Sequence, residues 1–254
     1  VTITGGRFSS TVDASEGYKT VEVGSNYAVA VDTANTAVAS VGGNSYTTIH
    51  NAVNAAQNGE TITLLNDIST YTVIIPENLT VTLDLNGKTL TANGTAILNK
   101  GTLTIKDSEN GGAVFSSQNV AVGAGDNSNT TIESGKFTGQ EGAVITGYAT
   151  GATITINGGE FIAIDNSVIS GNGNKTNSNK EERVNANKIT INDGTFIGNI
   201  KTTGYIACGI YAPWKDIITV NGGNFTVNNG IGVVVRAGQV TINGGTFTVN
   251  GTAK

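Results

Sequence analysis

Hydrophobic and polar residues alternate in short runs along most of the chain, with a period of two and not the period of about 3.6 expected of helices. One phrase recurs: apolar-Thr-apolar, then Asn-Gly-Gly or a variant, one residue, then Phe. It is complete at Thr153-Ile154-Thr155-Ile156-Asn157-Gly158-Gly159-Glu160-Phe161. Other copies end at Phe8, Phe137, Phe196, Phe225 and Phe247, and a looser one runs from Leu103-Thr104-Ile105 through Gly111-Gly112 to Phe115. Together they account for all 7 phenylalanines. On a strand, Ile154 and Ile156 point one way while Thr153 and Thr155 point the other. Asn-Gly-Gly then turns the chain, because asparagine and glycine tolerate positive φ, and Phe161 follows on the next short strand, facing inward.

Anchors of the phrase run from Leu85 through Ile105, Ile132, Ile156, Ile191 and Val220 to Ile242, with steps of 20, 27, 24, 35, 29 and 22 residues. A minimal step with irregular additions marks the coils of a solenoid whose turns accept insertions. An immunoglobulin-like sandwich gives no reason for a phenylalanine column, and a leucine-rich repeat needs another leucine spacing. The pattern predicts an all-β protein: a right-handed parallel β-helix of about seven coils over residues 61 to 249. The phenylalanines are expected inside, Phe8 less so, with Phe161, Phe196, Phe225 and Phe247 in one column. Thr104, Thr131, Thr155, Thr190, Thr219 and Thr241 are expected to form an outer column. Ice-binding β-helices present ranks of threonine, but here the second rank reads Thr102, Asn129, Thr153, Lys188, Ile217 and Gln239. The preference of β-branched residues for exposed strands accounts for the single column.

Residues Tyr46 to Asn58 carry the helical pattern, with Ile49, Ala52, Val53 and Ala56 on one face. Thr47 or Thr48 can cap its start and Gly59 its end. A helix here would cover the open apolar end of the first coil. His50, the sole histidine, has no nucleophile or second ligand near it in sequence and reads as structural. Val1 to Phe8 is a full repeat phrase that precedes this helix, and two strand-like runs, Lys19 to Val23 and Tyr27 to Val31, follow it. The expected organisation is a small β element over residues 1–40, the end of a preceding module, then a capping-helix region at 41–60 and the β-helix at 61–254.

Composition sharpens this picture. Glycine contributes 35 residues and proline only 2, which excludes collagen. Charged residues are 13% of the chain, and the net charge of −5 leaves no basic stripe for nucleic acid. No apolar run approaches the roughly 18 residues that span a bilayer. Cys208, the one cysteine, sits in an apolar run and is expected to be a buried thiol. The chain holds no methionine, so a processed protein or excised fragment is expected.

These residues resemble the right-handed parallel β-helix, pectate-lyase-like modules of large surface proteins from Gram-positive gut bacteria. In those, a segment like Tyr46-Thr47-Thr48-Ile49-His50-Asn51-Ala52-Val53 followed by Gly59-Glu60-Thr61-Ile62-Thr63-Leu64 opens a module. Coils like Ile154-Thr155-Ile156-Asn157-Gly158-Gly159 follow, and a segment like Thr4-Gly5-Gly6-Arg7-Phe8-Ser9-Ser10, ending in Glu16-Gly17-Tyr18, closes it. The resemblance implies secretion, attachment to the cell surface through regions outside this chain, and a role as an adhesin. Similar surface proteins include some that bind host immunoglobulins.

Many β-helices cut acidic polysaccharides. Hydrolases of this kind cluster aspartates on adjacent coils, and lyases need calcium-binding carboxylates with a basic residue. Here Asp165, Asp193 and Asp216 align differently against Phe161, Phe196 and Phe225, and there is no Asp-Asp pair, no His-Gly pair and no Arg-x-Lys run. Asp193, Asp84 and Asp107 read as turn or strand-surface residues. No metal site, phosphate loop or cofactor is expected. Two insertions follow each other. Asn172 to Lys188 is polar, whereas Lys201 to Asp216 gathers Tyr205, Tyr211, Trp214 and Lys215. Aromatic side chains supply contact area at low entropic cost. Arg236 stands four residues before Val240, as Trp214 stands before Ile218, which is expected to bring guanidinium and indole together on adjacent coils. The expected ligand face is therefore Trp214, Tyr211, Tyr205, Arg236 and Lys215. The expected function is a non-catalytic, extracellular binding module of a bacterial adhesin. It would act as a monomer on a host glycan or host protein, immunoglobulin included. A polysaccharide lyase or glycoside hydrolase and a structural stalk are the alternatives.

Overall fold

A computed structural model of the chain describes residues 3, 5–14, 18–32, 36–147, 149–171, 186–199, 208–213 and 216–251. Three parallel sheets wind about one apolar core in a β-solenoid of about seven turns. Each turn gives one strand to each face. The first face runs from Glu60–Leu64 to Gln239–Ile242, the second from Ile68–Thr70 to Thr246–Asn250, and the third from Val73–Ile75 to Ile231–Val235.

The first face carries the repeat's apolar-Thr-apolar strand. Its threonine column has the expected register and is longer than expected, because Thr61 and Thr82 precede Thr104 in it. The inner column differs from the expected one at its start. Ile105 pairs with Leu83, not Leu85, and Leu83 with Ile62. Leu85 is buried at the corner that follows, where Asn86 and Gly87 turn the chain at φ 49° and 70°.

The second face carries the phenylalanines. Phe137, Phe161, Phe196 and Phe225 are buried in one column, with ring centroids 5.1, 4.9 and 4.3 Å apart, and Phe247 continues it 4.4 Å from Phe225. Phe247, on the last of the described coils, is half-buried. One phenylalanine of the solenoid departs from expectation. Val114, not Phe115, aligns with Phe137, so Phe115 lies outward beside Thr138 and is half-buried. The longer turn before it shifts the strand by one residue, which exchanges faces. Phe8 lies outside the solenoid altogether, pairing antiparallel with Tyr27.

The Asn-Gly-Gly corner also works differently from a simple positive-φ turn. Only its second glycine takes positive φ, 111° at Gly159 and 96° at Gly223. The first is needed for close approach: a Cβ on Gly222 would lie 2.4 Å from the Asn192 carbonyl oxygen. The asparagines stack instead. Asn192 Nδ2 donates to Asn157 Oδ1 at 2.8 Å, Asn221 to Asn192 at 2.9 Å and Asn243 to Asn221 at 2.9 Å, while Asn157 donates to the Glu133 carboxylate. Such a ladder satisfies amide groups from coil to coil as cross-strand pairs do within a sheet.

Helix α1 spans Ile49–Ala55, shorter than the expected 46–58, because Ala56 is already extended at φ −64°, ψ 141°. Thr48 caps it, its Oγ1 accepting from Asn51 N–H at 3.1 Å. Ile49, Ala52 and Val53 bury their side chains on the first turn. A hairpin of Ala39–Val41 and Asn44–Tyr46 extends the first face, Ala39 pairing antiparallel with Leu64. Residues 39 and 40 thus lie in the solenoid sheet. Ahead of them, Arg7–Phe8, Tyr18–Val23 and Asn26–Val31 form a separate three-stranded antiparallel sheet.

Asp84 shows how polar residues staple the corners. It is buried at 5% exposure, accepts from Asn86 and Ser108 N–H, and pairs with Lys106 Nζ at 3.2 Å. Burial pushes its carboxyl upward, but the hydrogen bonds from Ser108, Lys106 and Asn86 outweigh that and hold it below its usual value of 3.8. A depressed folded pKa contributes stability that is present above the unfolded pKa and lost as pH falls through the folded one. Asp84→Asn should therefore lower the melting temperature at pH 7, and the gap to the parent should narrow steadily below about pH 4. A gap independent of pH between 7 and 2 would show that the charge contributes nothing.

Candidate functional site

The third face was not legible in the repeat phrase, and it carries Tyr211, one of the expected ligand residues. Within the segment read as one insertion from Lys201 to Asp216, Cys208–Ala212 is a regular strand of this face. Cys208, Ile210 and Ala212 point inward and are fully buried, which leaves Tyr211 on the outer side, half-buried. Burial pushes the Cys208 thiol up to about 12, so it is an inert core residue. Tyr205, Trp214 and Lys215 lie outside the described residues.

Arg236 follows the last strand of the third face and is exposed. Its Nη1 donates to the Tyr211 hydroxyl at 3.2 Å, and this hydrogen bond raises the guanidinium's pKa above its usual value. Ile218 pairs with Val240, so positions 214 and 236 are equidistant from the following strand. Ala212 pairs with Val235, however, so the corner of the earlier turn is one residue longer.

One buried polar cluster lies where the chain enters the first-face strands Lys188–Ile191 and Ile217–Val220. Asn187 Nδ2 donates to Ala149 O at 2.8 Å, Asp216 Oδ1 at 3.0 Å and Thr146 Oγ1 at 3.3 Å, and its Oδ1 accepts from Ala152 N–H at 2.9 Å. Asn187 and Asp216 are each 1% exposed. The cluster therefore ties together the corners that precede three successive strands of the first face, at Ala149, Asn187 and Asp216. Asp165 accepts from Gln140, and Asp193 accepts from Gly194 N–H at 2.7 Å in its turn. Asp165, Asp193 and Asp216 thus occupy three unlike settings. Among the described residues no group of three or more His, Cys, Asp or Glu is placed to hold a metal ion. Nor, among them, is any helix long and apolar enough to cross a membrane.

A second surface lies at the opposite end and was missed from sequence. Beside α1, His50 and Tyr71 stack with ring centroids 3.8 Å apart and planes 17° from parallel. His50 Nε2 lies 3.2 Å from Thr72 O. Tyr71 remains 70% exposed and borders an open concavity of about 660 Å³ with Asn54, Ile74, Glu77 and Lys100. The available signal was one aromatic residue in the threonine-rich run Ser69-Thr70-Tyr71-Thr72, about one coil after His50. Comparison with family models, curated proteins and solved structures found no match to this chain. Geometry alone therefore carries the functional reading.

Proposed function

We propose that this chain is a non-catalytic, extracellular binding module of a bacterial surface adhesin, recognising a host glycan or host protein, with immunoglobulin among the candidates. The observation that supports this reading is the Arg236–Tyr211 pair at the outer side of the third face, an exposed guanidinium held against a phenol one turn away. Tyrosine and arginine give stacking area and fixed donors at a low entropic cost, the chemistry that dominates protein and sugar contacts. Trp214, Tyr205 and Lys215 stand in the same stretch of sequence as Tyr211 and are proposed as further ligand residues. A stalk needs no such pair, and a lyase or hydrolase needs carboxylates facing a common cleft.

Glycan and host-protein arrays identify the ligand, and sugar-release assays on acidic polysaccharides test the enzymatic alternative. A Trp214→Ala/Tyr211→Ala variant should lose binding by at least about tenfold while keeping its melting temperature, since hot-spot truncations cost about 2 kcal/mol or more. Unchanged affinity at unchanged melting temperature would eliminate this face, and Tyr71→Ala then tests the cleft beside α1. Lost stability would instead assign the aromatic residues to local packing.

A further inference from the structure

The cleft beside α1 is built from separate parts of the chain. Helix α1 supplies His50 and Asn54, the corner before Val73–Ile75 supplies Tyr71, and the corner after it supplies Glu77, with Lys100 from the next turn. Lys100 N–H donates to Ile75 O at 2.9 Å, which fixes that corner against the first turn. Between the two corners Ile74 points outward, while Val73 and Ile75 face the core. The concavity of about 660 Å³ is of the size that takes small ligands, roughly 300 to 1,000 Å³. Exposed tyrosines ordinarily keep their rotamer freedom. Here His50 lies flat against one face of the Tyr71 ring, and His50 is itself held. A carbonyl oxygen can only accept, so Nε2 carries the proton and donates to Thr72 O at 3.2 Å. One face of the phenol is therefore covered and its plane fixed, although Tyr71 stays 70% exposed. A ring fixed in this way is prepared for a flat partner on its other face.

We propose that this cleft binds a neutral hexopyranose, seated on the open face of Tyr71. One face of a pyranose ring presents C–H bonds with partial positive charge, which rest on the electron-rich face of an aromatic ring. Its hydroxyls lie around the rim and need donors and acceptors there. The cleft is lined by both kinds: the Asn54 amide donates and accepts, the Glu77 carboxylate accepts and the Lys100 ammonium donates. Among the described residues these three side chains are exposed and make no hydrogen bond or ion pair, so their polar atoms are available. One carboxylate and one ammonium leave the rim without net charge, which suits a neutral ring better than a uronate. A protein hot spot needs a wider apolar surface that dries on contact. Here Ile74 and Pro76 are the exposed apolar residues beside Tyr71, enough to seat one ring.

This site stands apart from the Tyr211–Arg236 face and does not rest on the reading given to it. The strand of Tyr211 lies five steps along the third face from Val73–Ile75, roughly 24 Å at about 4.8 Å per step. A single ring cannot touch both. The concavity is open at its side, so it admits a ring within a glycan chain as well as one at the end.

Nuclear magnetic resonance titration of the isotope-labelled full chain tests it, with methyl β-glucoside, methyl β-galactoside, methyl α-mannoside and N-acetylglucosamine as probes. With at least one of them, amide shifts should concentrate at Asn54, between Tyr71 and Glu77, and at Lys100, and should saturate in the millimolar range. Tyr71→Ala should weaken that binding at least about tenfold, at an unchanged melting temperature because the residue is mostly exposed. Tyr71→Phe keeps the stacking face and should retain most of the affinity. The rim variant Glu77→Ala/Lys100→Ala, which leaves the stack intact, should lose affinity as well. Tyr211→Ala should leave the titration unchanged, so failure here and failure of the lateral face are read separately. The proposal is overturned if no probe shifts these amides up to about 100 mM, where sites far weaker than millimolar would still fill. Shifts that survive both Tyr71→Ala and the rim variant overturn it too, as does a protein ligand captured at this cleft when no glycoside binds.

Discussion

Phe196→Ala should destabilise the protein by about 3 to 5 kcal/mol, the range for emptying a fully buried aromatic site. The ring is 0% exposed and stacks on two others, at 4.9 Å from Phe161 and 4.3 Å from Phe225. Backbone pairing on both sides fixes the facing strands, Phe161 to Phe196 and Phe196 to Phe225, so neither neighbour can slide into the gap. The loss therefore includes a cavity term as well as the transfer term. Phe115→Ala is the internal control. Its side chain lies on the outer side beside Thr138, half-buried, and its removal should cost about 1 kcal/mol or less. Denaturant unfolding of the two variants gives both numbers. Equal costs would mean that the inward register of the second face has been misplaced by one residue.

That contrast also shows what the sequence could and could not convey. Wherever the phrase is uninterrupted, as from Ile154 to Phe161, alternation and the fixed corner determine which side chains face inward, and the columns follow from strand spacing. Leu83 and Val114 were missed because they precede or follow irregular corners, where one added residue reverses the faces. The third face has no phrase of its own. Its strands range from Val73-Ile74-Ile75 to Cys208-Gly209-Ile210-Tyr211-Ala212, with small residues where neighbouring turns approach closely. A Cβ on Gly209 would lie 2.8 Å from the Gly232 carbonyl oxygen. Local pattern does not encode a packing constraint set by the coil above. The spacing argument paired Arg236 with Trp214, which lies outside the described residues, so the Arg236–Tyr211 contact was not readable from it, and the His50–Tyr71 stack, which joins a helix to a coil corner, was not readable at all.

The deepest consequence of coil-to-coil packing falls on Asn187. Substitution by alanine removes the acceptor of the buried Ala152 N–H and the donor to Asp216 Oδ1, and should cost about 2 to 4 kcal/mol. Hydrogen exchange should locate the loss around residues 146–152 and 187–191, because Asn187 ties the corner at Ala149 to the strand that begins at Lys188. Asn187→Asp separates charge from shape. It keeps the volume but replaces the amide donor with a carboxylate facing Asp216 Oδ1, at a contact that is now 3.0 Å. Two carboxylates so close cannot both ionise cheaply, and one of them takes a raised folded pKa. A carboxyl whose folded pKa lies above its unfolded value destabilises the fold at high pH and ceases to do so once pH drops below the unfolded value. Asn187→Asp should thus be worse than Asn187→Ala at pH 7 and should recover toward it between about pH 6 and 4. If Asn187→Asp matched the parent at pH 7, the Asn187–Asp216 contact would contribute nothing to holding these corners together.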